Sequence, residues 1–401
     1  MRLALVVLIS ALLPGLHVKA YYRAGRRACP DFEQFTILSW AIQTKQLPPR
    51  YLVTADNDGL ADRLVNAVGA FYLALLTDRV LCLHPTPGQP PMEAAWEPKP
   101  YDWSCPGGWK DLKTYQQNTL NDGTFTPGNE IYKQFILEDF TQGPSKDAEV
   151  WDIGIQRGFS VPMFWSLAHH ARLWDMGLRP DTAFGCAIDY LMRPTRFTLN
   201  LVKPDMLGVM TDESIIKIGI QVRTGDKAIT DNITADRFPD KAYDRMVQPF
   251  FDCASQLETD IKRHFGQGTR VVYYLMTDNA GARAKAKLRF SQQPGKLLTF
   301  DDTAVEYYQS VTSHGYQKLV MEHWLLSQAH YHIITHASGL GRTAALMSLR
   351  ATQIYTMAVP QNNFADRGPN TTRLPPGAGC TFTSHDSLNS IYDQWSGVRR
   401  V

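Results

Sequence analysis

No stretch of this sequence is both long and uncharged enough to cross a bilayer comfortably. The longest apolar run, from Leu3 to Leu16, is broken by Ser10, Pro14 and Gly15. A spanning helix needs roughly 20 residues. Arg2 precedes the run, and Val18-Lys19-Ala20 places small residues at −3 and −1 of a cut after Ala20. Residues 1–20 therefore read as a signal peptide. Lys19, Arg23, Arg26 and Arg27 keep a short uncleaved anchor as the alternative, and an anchor of that kind is the one expected contact with a membrane. Net charge is also lacking. Lys and Arg total 41 against 39 acids, and setting aside Arg2 and Lys19 leaves 39 of each sign. A neutral body gives no bulk argument for nucleic acid or for an anionic membrane surface, so any anion site is local. No Cys-x-x-Cys pair or Cys/His cluster has zinc-ligand spacing. No Walker loop, GxGxxG fingerprint or internal repeat occurs. The nearest approach to a metal-binding Asp-x-Asp, Asp56-Asn-Asp58, precedes a helix pattern, and no obligatory metal is expected.

What is present is ample core material. The 401 residues are 44% hydrophobic, and the length suggests two domains, 21–205 and 211–401. Nine Trp, 17 Tyr and 18 Phe exclude a disordered class. Six dispersed cysteines (Cys29, Cys82, Cys105, Cys186, Cys253, Cys380) fit up to three disulfides of open connectivity. Sequons stand at Asn232 and Asn370. Residues 21–48 read as an irregular lead-in. A strand at 51–53, a helix at 60–76 with Leu60, Leu64, Val68, Phe71 and Leu75 on one face, and a strand at 79–83 make a strand–helix–strand unit. The Pro- and Trp-rich stretch 85–109 reads as a long ordered loop lining an acceptor groove. Residues 131–200 look mostly helical, with a domain edge at 184–194. The second half alternates strands at 215–222, 271–276, 332–335 and 353–357 with helices. Both halves then read as doubly wound α/β domains facing a cleft.

Three turns follow strands of this kind, at the edge where α/β sheets bind ligands. Asp56-Asn-Asp-Gly-Leu-Ala-Asp-Arg63 puts Gly59 before a helix N-terminus; its ordinary reading is a common Asp-Gly turn. Gln221-Val-Arg-Thr-Gly-Asp-Lys227 puts Arg223 at a strand end. A guanidinium there can clamp a phosphate with paired hydrogen bonds, or pair with Asp226. Thr335-His-Ala-Ser-Gly-Leu-Gly-Arg342 offers a hydroxyl, small residues and a helix N-terminus, suited to a phosphate or to a plain glycine turn capped by Ser338. His336 lies inside this turn.

Gly219 to Lys227, Tyr274-Leu-Met-Thr-Asp-Asn279, and Leu319-Val-Met-Glu-His-Trp-Leu-Leu-Ser-Gln-Ala329 leading to Ile334-Thr-His-Ala-Ser338 resemble the ordered motifs of the α1,2/α1,6/protein-O-fucosyltransferase superfamily. The likeness is nearest to its eukaryotic α1,6 and plant xyloglucan-type members and covers residues 215–350. It implies a GT-B-like fold and an inverting transfer of fucose from GDP-fucose to a glycan or glycoprotein hydroxyl, in the Golgi or ER lumen of the secretory pathway. Another GDP-sugar, or a carbohydrate-binding protein without catalysis, are the alternatives. By the same likeness Arg223 binds the β-phosphate, Gln221 faces guanine or ribose, and Glu322 hydrogen-bonds guanine. Ser338 and Gly339 contact phosphate, with His336 beside them. Asp278 is structural or ribose-directed. The turn carrying Gly59 and Arg63 resembles the superfamily's early glycine-rich loop. Asp231 falls where the α1,6 group has a carboxylate proposed as base, with Asp226 its competitor. Thr224 replaces the second arginine of the α1,6 Arg-Arg pair, Glu322 replaces the usual Asp, and Ala61-Asp62 the usual Gly-Asn.

Overall fold

The computed structural model describes residues 26–56, 59–117, 137–154, 162–225, 238–300, 312–335, 338–350, 354–357 and 380–382. The signal or anchor segment, both sequons, Asp226, Asp231 and His336 lie outside these residues.

In the first half, helix α1 (Glu33–Gln43) precedes strand β1 (Tyr51–Asp56), helix α2 (Leu60–Leu76) and β2 (Val80–Pro85). A short β3 (Trp96–Pro98), β4 (Thr114–Gln117) and β5 (Val150–Ile153) follow. Then come α3 (His170–Asp175), α4 (Pro180–Leu191), β6 (Met192–Pro194), α5 (Arg196–Leu199) and α6 (Pro204–Thr211). The strands form a parallel sheet in the order β2-β1-β5-β4, and β3 and β6 pair antiparallel apart from it. In the second half are β7 (Ile216–Val222), α7 (Asp240–Met246), α8 (Gln248–Phe265), β8 (Val271–Thr277), α9 (Ala280–Arg289) and β9 (Leu297–Leu298). They continue through α10 (Ser313–Ser327), β10 (Tyr331–Thr335), α11 (Gly339–Met347), β11 (Ile354–Met357) and β12 (Thr381–Phe382). Here the order is β12-β11-β10-β7-β8-β9, parallel except for β12. Strands buried along nearly their whole length, as β7 and β8 are, are what a parallel sheet covered on both faces requires.

The two α/β units expected from the strand and helix alternation are present, and three local readings change. Residues 21–48 are not all irregular, because α1 buries Phe35, Ser39 and Ile42. The 131–200 region contains β5, inserted between β1 and β4. The expected edge at 184–194 falls within α4 and β6. Its Gly185 lets α11 approach so closely that a Cβ would lie 2.6 Å from the Leu346 carbonyl. Finally, Trp96 and Trp103 of the 85–109 stretch are core residues rather than groove lining. A continuous apolar core runs from α2 and α4 into Tyr316, Val320, Leu346 and Met347 of the second half. Bonds Cys29–Cys186, Cys82–Cys105 and Cys253–Cys380 use all six cysteines.

Candidate functional site

Chain order places the site. From β7 the sheet grows one way through β8 and β9, and the other way through β10 and β11. The direction reverses between β7 and β10, and ligands of open α/β sheets bind in the crevice at such a point, outside the carboxyl ends of the strands. The turns at 223–225 and 338–339 leave those two ends.

Thr335, the last residue of β10, joins them. Its Oγ1 accepts from the Arg223 backbone N–H at 2.9 Å and donates to the Gln221 carbonyl at 3.0 Å. Its carbonyl accepts from the Ser338 N–H at 3.1 Å. Arg223 is thus held by its backbone beside the N-terminus of α11 while its side chain stays one-third exposed. The partner that local sequence suggested, Asp226, is outside the described residues; among the described residues the Asp278 carboxylate lies 3.9 Å from Nη1. Asp278 chiefly ties down the turn. It accepts from the Thr224 N–H at 2.7 Å, the Thr224 hydroxyl at 2.9 Å and the Gly225 N–H at 3.2 Å. Burial raises its carboxyl above the usual carboxylate range, opposed by Arg223 and by these hydrogen bonds. The next residue, Asn279, caps α9, accepting from the Ala282 N–H at 2.8 Å. Thr224, where the second arginine of the α1,6 group would stand, is nine-tenths buried and spends its hydroxyl on Asp278.

Ser338 is the N-cap residue of α11, yet it makes no capping hydrogen bond. Its Oγ is buried and has no partner among the described residues. A buried hydroxyl without a partner costs about 1–3 kcal/mol unless something fills it. The first N–H groups of the helix stand beside it, and they favour an anion. Gly341 brings this turn close to the sheet: a Cβ there would be 2.6 Å from Gln221 Oε1 and 2.9 Å from Ile334 Cβ. The next turn of α11 is pinned from behind. Thr343 donates to the Gly339 carbonyl at 2.9 Å and shares a 2.7 Å hydrogen bond with Nε2 of His323. Burial drives His323 down to about 3, so this anchor is a neutral imidazole.

The other sequence candidates divide. Gln221 is buried, and its Oε1 accepts from the Thr335 N–H at 3.2 Å, so it bridges β7 and β10. Glu322 forms a two-point pair with Arg283 of α9, 2.7 Å and 3.1 Å, with both side chains buried. Gly59 caps α2 at φ −72, and a Cβ there would meet only Asp62 Oδ2 at 3.7 Å, so this turn does not demand glycine. Arg63 is buried, donates to the Pro90 carbonyl at 2.6 Å and lies 4.5 Å over the Tyr316 ring. Tyr316 begins α10, so Arg63 ties the carboxyl edge of the first sheet to the second half. The structure therefore brings Arg223, Asp278, Ser338 and Gly339 together and places Gln221 directly beneath them. Gly59 and Arg63 stand across on the first half, and Glu322 is engaged deeper in the second. Sequence reasoning did not single out Thr335 as the hub; a threonine closing a buried strand beside a glycine turn is its only local signal. Among the described residues no group of three His, Cys, Asp or Glu side chains could hold a metal ion.

No protein-family model matches the chain, and no curated protein sequence does. Solved structures do. A mutant of Arabidopsis thaliana FUT1 in complex with GDP aligns with a TM-score of 0.54 at 17% identity, over 88% of this chain and 80% of that one. NodZ alpha-1,6-fucosyltransferase soaked with GDP-fucose aligns over 77% and 94% at 13% identity with a TM-score of 0.45. POFUT1 in complex with GDP aligns over 78% and 99% at 11% identity with a TM-score of 0.41. The fold is GT-B-like, on the likeness to the FUT1 structure. At such identity the likeness is one of fold, and the chemistry rests on the residues described above.

Proposed function

We propose that this chain is a fucosyltransferase that takes GDP-fucose and fucosylates a glycan or glycoprotein hydroxyl with inversion. The observation that carries the proposal is the pairing of a half-open Arg223 with an unpartnered Ser338 hydroxyl at a helix N-terminus, both fixed to Thr335 at the switch point. That set suits the diphosphate of a nucleotide sugar: a planar cation for two phosphate oxygens, a hydroxyl donor and oriented N–H groups. The acceptor oxygen attacks the anomeric carbon of fucose, the bond from that carbon to the β-phosphate oxygen breaks, and GDP leaves with the electron pair. Stabilising that leaving charge is the work of the Arg223 and Ser338 groups.

Ser338→Ala tests this directly. GDP affinity should fall about tenfold, the value of a hydrogen bond to a charged group. Thermal stability of the free protein should not fall, since the lost hydroxyl had no described partner. Unchanged GDP affinity would remove the phosphate role from this turn. UDP and CMP should give no comparable stabilisation of the wild-type protein.

A cation and a helix N-terminus supply positive charge at the leaving group, so transfer should persist in EDTA. Loss of most activity on chelation, restored by Mn²⁺ or Mg²⁺, would overturn that expectation. For the acceptor's proton the proposed base is Asp231, with Asp226 the competitor. Asp231→Asn should lower kcat while GDP still binds; the same pattern in Asp226→Asn alone would reassign the role. Three disulfides fit an oxidising lumen, which supports the secretory pathway as the site of action. Protection of the chain from protease in sealed microsomes checks it.

A further inference from the structure

The first sheet presents its own carboxyl edge to the cleft, and one face of that edge carries exposed and half-buried polar side chains. In the strand register Asp152 of β5 pairs with Val53 of β1 and Gln116 of β4, and Val53 pairs with Cys82 of β2. Partners in a parallel pair project to the same face, as do residues two apart on one strand. Asp152, Gln116, Ala55 and His84 therefore share one face at the carboxyl end of the sheet. Ala55, central among them, is exposed, so the floor between the flanking strands is a single methyl group. The walls are two strands apart, about 10 Å.

One wall is built by the Pro/Trp-rich stretch. The Cys82–Cys105 bond and a hydrogen bond from the Leu83 N–H to the Trp103 carbonyl, 2.8 Å, hold this stretch along β2. That brings the half-exposed Trp109 ring against His84, centroids 5.6 Å apart and edge-on at 80°. Lys110 lies 5.6 Å from the same indole. The opposite wall is the half-buried Asp152 with the exposed amide of Gln116 beside it.

We infer that this shelf of Trp109, His84, Ala55, Gln116 and Asp152 is the acceptor subsite, and that it takes a sugar ring of a neutral saccharide. The inference rests on the proposed transfer reaction. The ring's C–H face fits the half-open indole, as apolar faces fit aromatic platforms generally. Its hydroxyls meet the imidazole, the amide and the carboxylate, the few convergent polar groups of a carbohydrate pocket. The width admits one ring, and the Ala55 methyl leaves the floor free for it. Burial raises the Asp152 carboxyl above its usual range, while His84 draws it back, so the carboxylate is a stronger acceptor for a sugar hydroxyl than an exposed one. The shelf also shares the cleft with the donor crevice. The Arg63 contact with Tyr316 keeps the carboxyl edge of the first sheet against the start of α10. Helix α10 then runs back to the amino end of β10, so its start lies on the carboxyl side of the second sheet. The subsite places an acceptor on the first half facing a donor on the second.

The test uses the full chain with labelled GDP-fucose and an array of glycans and glycopeptides. Trp109→Ala and Asp152→Asn should each raise the acceptor KM about tenfold or more, while GDP affinity and acceptor-independent hydrolysis of GDP-fucose stay at wild-type values. Trp109→Phe, which keeps an aromatic face, should recover most of the loss, a rescue that a purely structural role for the indole would not require. An acceptor KM within twofold of wild type in both Trp109→Ala and Asp152→Asn overturns the subsite. If the wild-type chain neither binds GDP nor labels the array, the transferase reading fails separately. Direct binding of fluorescently tagged chain to the same array then decides the shelf: binding lost in Trp109→Ala upholds it, and binding absent or unaltered sinks it.

Discussion

Arg223→Lys is expected to lower kcat/KM for transfer by about 10²–10³-fold, or ~2.7–4 kcal/mol, the scale of removing one oriented donor from a developing negative charge. Charge is kept in this variant, so the loss isolates geometry. The Arg223 backbone is fixed by Thr335 and the following turn by Asp278, hence the direction in which the side chain leaves β7 is set before any ligand arrives. From that start a guanidinium can give two parallel hydrogen bonds to a phosphate, whereas an ammonium offers one point charge on a flexible stem. The fold should be indifferent. The side chain is one-third exposed, and lysine keeps the positive charge that faces the buried Asp278 carboxylate at 3.9 Å. The measurement is steady-state transfer with GDP-fucose alongside a thermal melt. Activity within twofold of wild type would end the phosphate-clamp assignment; a lowered melting temperature with equally lowered activity would show the arginine to be structural.

The parts of this site that a reader of the sequence can find are those encoded within a few residues. Strands β7, β8 and β10 are apolar runs bounded by polar turns, and Arg223 and Ser338 stand directly behind two of them. What stays hidden is held at long range. Asp278 looks like a helix cap because it precedes α9, but its acceptors reach across the sheet to Thr224 and Gly225, more than 50 positions earlier. Thr335 is inconspicuous until β7 is laid beside β10. Helix α1 escapes notice because its buried face includes Ser39, which blunts the hydrophobic period. Strand β5 is four residues long and half polar at its carboxyl end, too little for a pattern. The 85–109 stretch is legible as ordered from its aromatics, but not which of them face inward. That division follows from one disulfide and the packing of Trp96 and Trp103, and it leaves Trp109 half-exposed beside His84.

Glu322 is where local motif and long-range contact disagree most, and its replacement should have the largest effect on stability. The superfamily resemblance directs its carboxylate to guanine, while the structure turns both oxygens toward Arg283. The Arg283 side chain is 1% exposed and that of Glu322 8% exposed. Glu322→Ala would strand a guanidinium in the core, for which broken buried pairs show a cost of about 3–5 kcal/mol. Chemical denaturation should therefore show a lowered midpoint before any effect on catalysis is considered. Replacing both partners at once, Arg283→Met with Glu322→Leu, removes the stranded charge and should restore most of that stability, since well-packed apolar substitutes for buried pairs are often neutral or better. The double variant then separates the two roles. If the carboxylate also accepts from the guanine edge, the folded double variant should bind GDP no better than inosine diphosphate, which lacks the exocyclic amine, whereas the wild type should prefer GDP. A double variant that is stable and keeps the wild-type preference for GDP would show that Glu322 serves the fold alone. If instead the single Glu322→Ala variant unfolds at the wild-type denaturant midpoint, the buried pair carries none of the stability argued for it.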